Sequence, residues 1–142
     1  MIVDAVEEIV SLLQSNWNSA NTDGVTPQIK AIYELKRIGG LSKSTDYVLI
    51  YEGRTSITDA DVSGISRHRR VSLSIDVRTF KSRDRMVKIL KEVDRILWSK
   101  IAGTTNFEIA KMVGYTDLSD RSIKLWRVVY DVELIKLAEV RA

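Results

Sequence analysis

Along residues 3–17, Val3, Val6, Val10, Leu13 and Trp17 recur at steps of three and four with Ile9 beside them, a spacing that predicts an amphipathic helix. Asp4, Glu7 and Glu8 fall in its first turn, where carboxylates complement exposed N–H groups and the positive end of the helix dipole. Asn16, Asn18, Asn21, Asp23 and Gly24 make a polar stop before Pro27. Ile29, Ala31, Tyr33 and Leu35 then alternate against Lys30, Glu34 and Lys36, predicting a strand over 28–37 with one solvated face, ended by Gly39 and Gly40. Residues 47–51 are wholly apolar and predict a short strand buried on both sides.

The stretch 52–67 is rich in Thr, Ser, Asp and Gly and has no persistent period, so a long flexible loop is expected at about 53–68. Val71, Leu73, Ile75 and Val77 alternate with Ser72, Ser74, Asp76 and Arg78, a strand with a core face and a wet face. Ser82 is placed to cap a helix whose apolar stripe is Met86, Ile89, Leu90, Val93, Ile96, Leu97 and Ile101. Gly103 ends it, and Phe107, Ile109, Val113 and Tyr115 mark a fourth strand over 107–115. In the last strand Trp126, Val128, Tyr130, Val132 and Leu134 form one face, while Arg127, Asp131 and Glu133 interrupt the apolar residues of the other. That second face is covered only in part, either within a monomer or by an identical subunit.

The order α-β-β-β-α-β-β with short connections predicts one α+β domain: a largely antiparallel sheet of about four to five strands with two main helices on one face. Composition fits one ordinary core, with 142 residues of which 44% are hydrophobic and 29% charged. No run approaches the roughly 20 apolar residues a bilayer requires, so a soluble, unexported chain with no membrane contact is expected. Cys is absent, which removes thiol nucleophiles and thiolate metal sites, and a single His leaves little for a metal centre. No cofactor is expected. The net charge of +3 tolerates nucleic acid without requiring it.

Candidate chemistry is sparse. Asp59, Asp61, Ser63 and Gly64 resemble the opening of a calcium loop, but the twelfth position, where a bidentate Glu is needed, is Arg70. His68 lacks a nucleophile or carboxylate motif and sits among Arg67, Arg69 and Arg70. As a unit, these four residues offer phosphate-binding charge or a solvated strand edge that resists aggregation. The second helix carries Arg83, Arg85, Lys88, Lys91 and Arg95 opposite its stripe, and the first is acidic at its start. Opposite charges on one subunit suit a head-to-tail ring. Glu34 and Lys36 have the acid-x-Lys spacing of PD-(D/E)xK nucleases, with Asp23 or Asp46 to complete a magnesium site, but no Pro precedes either Asp. A small nucleic-acid-binding or nuclease-like domain is therefore the alternative. Trp17, Trp98 and Trp126 are expected to serve packing.

The strand RRVSLSIDVRTF (69–80), the helix RDRMVKILKEVDRIL and the closing DLSDRSIKLWRVVYDVELI, together with the element order, resemble the tail terminator, or tail completion, proteins of long-tailed double-stranded DNA viruses, including those of archaea and proviruses. The similarity covers nearly the whole chain. It implies a non-enzymatic virion protein, present in the host cytoplasm during assembly. Such a protein forms a ring, usually of six copies, at the neck between the head-tail connector or adaptor and the tail tube. Viral DNA passes through the channel. On this resemblance Asp4, Glu7, Glu8, Arg83, Arg85, Lys88, Lys91, Arg95, Asp59 and Asp61 are interface candidates toward a neighbouring subunit or the tube. The 53–66 segment would be a docking loop, and Arg67, His68, Arg69 and Arg70 would face the channel or the next subunit.

Overall fold

The computed structural model describes residues 4–32, 44–59, 66–101 and 105–140. Helices α1 (Ala5–Asn16) and α2 (Arg83–Lys100) pack on one face of a sheet built from β1 (Gln28–Ala31), β2 (Tyr47–Asp59), β3 (Ser66–Thr79), β4 (Ile109–Asp117) and β5 (Trp126–Val140). The strand order is β1-β2-β3-β5-β4, with β1 parallel to β2 and every other pair antiparallel. This is the expected α+β arrangement, with a sheet that is mixed only at the β1 edge.

Both helices begin where capping chemistry places them. The Asp4 carboxylate accepts from the Glu7 N–H and the Ser82 hydroxyl from the Arg85 N–H, each satisfying an N–H that has no partner inside the helix. Val6, Ile9, Val10 and Leu13 of α1 and Met86, Ile89, Val93, Ile96 and Leu97 of α2 are buried against Val48, Ile50, Val71, Leu73, Ile75, Val77, Val128, Val132 and Leu134 of the sheet. The alternation read from β3 and β5 thus faces the core as expected, and residues 47–50 are buried on both faces of β2.

Three expectations are corrected. The anticipated loop at 53–68 is largely strand: β2 and β3 stay paired out to Asp59 and Arg67, with a bulge between Glu52 and Arg54. Gly53 sits in that bulge, where an added Cβ would come within 3.5 Å of the Ser72 carbonyl oxygen. The segment carries no apolar alternation in sequence, so pattern reading had no period to find. Trp98 is not core but 81% exposed. Ile109, Val113 and Tyr115 of β4 are also exposed: Ile109 lies opposite Ile135 on the face away from the helices, and the bulge between Met112 and Gly114 shifts the alternation so that Tyr115 lies opposite Tyr130 on the helix side. The first strand is described only to Ala31; Tyr33, Glu34, Leu35 and Lys36 lie outside the described residues, as does Asp61.

Candidate functional site

The basic face expected of α2 is mostly engaged within the subunit. Lys88 Nζ lies 2.8 Å from Asp23 and 3.0 Å from Asp84, and Arg85 bridges Asp23 at 3.2 Å and Asp46 at 2.8 Å. Asp46 also accepts from the Thr79 hydroxyl at 2.6 Å. Lys88 and Arg85 hold the Asp23 carboxyl below the usual carboxylate range, Lys88 foremost. Asp23 and Asp46, once considered as metal ligands, are therefore neutralised by cations that tie the 3-10 turn Ser19–Thr22 and the start of β2 to α2.

Further along α2, Glu92 is buried and gathers four donors: Arg95 through Nε and Nη2, the Asn18 N–H and the Asn21 side-chain amide, at 2.6 to 2.9 Å. Burial works to raise the Glu92 carboxyl, but these hydrogen bonds, Arg95 first, outweigh it and hold the group below the usual range. Arg95 reaches on to the Asn16 carbonyl at 2.9 Å. A Glu at the flank of an apolar stripe gives no sequence signal of such a role. Of the five predicted basic residues, Arg83 and Lys91 are exposed, and neither has an ion pair among the described residues.

The Arg67, His68, Arg69, Arg70 cluster lies within β3 and is not gathered on one face. Arg69 is buried, His68 is half-buried, and Arg70 is exposed and pairs with Glu133 at 3.1 Å on the face away from the helices. Strand alternation divides them. On that same face the buried Asp76 is clasped by Arg78 and Arg127, each with Nη2 2.9 Å from Oδ2. Burial, and then the Asp76 charge, raise the nearby Tyr51 phenol. Both Asp76 oxygens accept from guanidinium groups, an arrangement that orders the sheet's second face. Among the described residues no group of three or more His, Cys, Asp or Glu is placed to hold a metal ion. No described helix is long and apolar enough to cross a membrane.

An open surface lies at one sheet edge. Among the described residues β4 pairs only with β5, so its outer row of N–H and C=O groups has no strand partner there. Ile109, Val113 and Tyr115 on β4, and Leu118 and Ile123 on the hairpin to β5, are five of the seven large hydrophobic residues exposed among the described residues. Such a concentration marks an interaction surface. The hairpin is preorganised: Asp120 accepts from the Ser122 N–H at 3.0 Å, Asp120 and Leu125 exchange backbone hydrogen bonds at 2.9 and 3.0 Å, and Lys124 adopts a left-handed conformation with φ 55°. Sequence reading placed Ile109, Val113 and Tyr115 on a strand face but missed their exposure. The visible signal was Leu118 and Ile123, two apolar residues in an otherwise polar turn.

No protein-family model matches this sequence, and no curated protein matches it. Among solved structures, the fold matches a chain of the virion of a native gene transfer agent (GTA) particle, with a TM-score of 0.62 over 95% of this chain and 95% of that one, at 9% sequence identity. What the two chains share at that identity is the fold, over nearly their full lengths.

Proposed function

We propose that this chain is a virion structural protein of the tail terminator type, which closes into a ring, hexameric by preference, at the neck of a tailed particle. It ends the tail tube, seats the head connector, and encloses the path of the DNA. It acts by association and docking, without catalysis or cofactor. The observation that carries this reading is the end-to-end match to a chain whose setting is a virion particle. The unpaired, apolar β4 edge supports it independently, because a subunit destined for an assembly leaves such surface for its neighbours.

The experiment is native mass spectrometry over a concentration series, together with electron microscopy of particles that carry the protein. A ring mass and density at the neck are expected. A chain that stays at 16.1 kDa at every concentration and is missing from particles contradicts the proposal.

A further inference from the structure

We infer that the β4–β5 hairpin of one copy docks on the outer side of α1 of a second copy, an inference that rests on the ring reading above and names the two surfaces that meet. The hairpin supplies apolar Leu118 and Ile123, flanked by exposed Arg121 and Lys124. Arg83, at the start of α2, lies close enough to lower the Asp117 carboxyl together with Arg121, although hydrogen bonds from Ser119 are the main cause. The exposed Asp117 and Asp120 accept hydrogen bonds from Ser119 and Ser122, whereas Arg121 and Lys124 have no ion pair among the described residues.

The receiving surface has the opposite character. From Asp4 to Ile29 the sequence contains no Lys or Arg, while Asp4, Glu7 and Glu8 all lie at the start of α1. A groove of about 430 Å³ runs along the helix, lined by Glu7, Glu8, Ser11, Leu12, Ser15 and Asn16. Glu8 Oε1 accepts from both the N–H and the side-chain amide of Asn106, but Oε2 is buried with no hydrogen-bond partner among the described residues. With only neutral amide donors on one of its oxygens, that carboxylate adds negative charge beside the groove, which favours a cationic neighbour.

A subunit cannot make this contact with itself. The hairpin stands near the start of α2, since Trp126 at its foot pairs with Thr79 just before that helix, whereas Glu8 reaches Asn106, just beyond the far end of α2. The 18 residues of α2 separate them by about 27 Å. Two different surfaces meeting between identical chains make a heterologous contact, which closes into a ring when its rotation permits. The basic member of the complementary pair is then the hairpin, not the α2 face whose Arg85, Lys88 and Arg95 are already paired.

Reciprocal charge reversal in the full chain tests this. One variant carries Glu7→Lys with Ser11→Lys; the other carries Arg121→Glu with Lys124→Asp, Asp being tolerated in the left-handed conformation. Circular dichroism verifies that both fold. Sedimentation equilibrium is expected to show each variant alone weakened in self-association by about tenfold or more, and an equimolar mixture restored to near wild type, since every junction then pairs opposite charges. If wild type assembles and both variants assemble equally well, this interface is wrong while the ring reading stands. If wild type does not assemble at all, both fail.

Discussion

The two sides of this molecule treat their polar and apolar groups in opposite ways. Around β1 and the 3-10 turn, polar groups find partners within the chain: Gln14 donates to the outward Ile29 carbonyl at 2.9 Å, and Glu92, Asp46 and Asp23 collect cations and amides from separate elements. On the side of β4, the outer strand edge is bare and Tyr115, Val113, Ile123, Leu118 and Ile109 face solvent. Where the 3-10 turn meets α2 the charges are matched within the chain; the β4 edge is left for a neighbour. A short edge closed by a side chain resists strand addition, whereas a bare edge with apolar side chains invites a partner.

The largest effect should come from breaking the closed side. Glu92→Ala removes the acceptor shared by Arg95, Asn18 and Asn21 and should lower stability by about 3–5 kcal/mol in chemical denaturation. Unchanged stability would mean that the buried acid does not hold the turn to α2. Acid reaches the same group: because the folded Glu92 carboxyl sits below its ordinary value, its stabilisation is full above the ordinary carboxylate pKa of about 4.3 and is lost as pH falls through the depressed one. Denaturation midpoints between pH 6 and pH 3 should therefore fall more for wild type than for Glu92→Gln, whose replaced group does not titrate there.

A smaller change sharpens the contrast between the edges. Gln14→Leu leaves the Ile29 carbonyl without its side-chain donor and should cost about 0.5–1.5 kcal/mol, read from the same denaturation curves. The smallest effect on folding belongs to the open side, where Leu118→Ser with Ile123→Ser should move the stability of the monomer by no more than about 0.5 kcal/mol. Those substitutions should still weaken self-association measured by light scattering. A large loss of folding stability there would show that the hairpin serves its own subunit.

Sequence pattern captured the layers because β3, β5 and both helices each bury one face, and burial is what writes a period into a sequence. Val71, Leu73, Ile75 and Val77 at alternate positions, and Met86, Ile89, Val93 and Ile96 at helical steps, all reach the core they implied. The outer parts of β2 and β3 escaped notice because Thr55, Ser56 and Thr58 bring β propensity without apolar alternation in the sequence. Candidate sites were less legible. The charges of α2 are visible in sequence, but whether Arg85 meets Asp46 inside the subunit or an acid on another depends on contacts 39 residues apart. Exposure of Trp98 and Tyr115 is likewise a tertiary fact, since an apolar residue at an apolar position reads as core until the layer above it is known to end.

Hydrogen exchange followed by mass spectrometry, at dilute and concentrated protein, tests the division between the two sides most directly. The account predicts that amides of β4 and the hairpin gain protection as concentration rises, while those of β1 and of the 3-10 turn stay constant. Growth in particle mass with β4 and its hairpin exchanging as freely as in the dilute chain would contradict it.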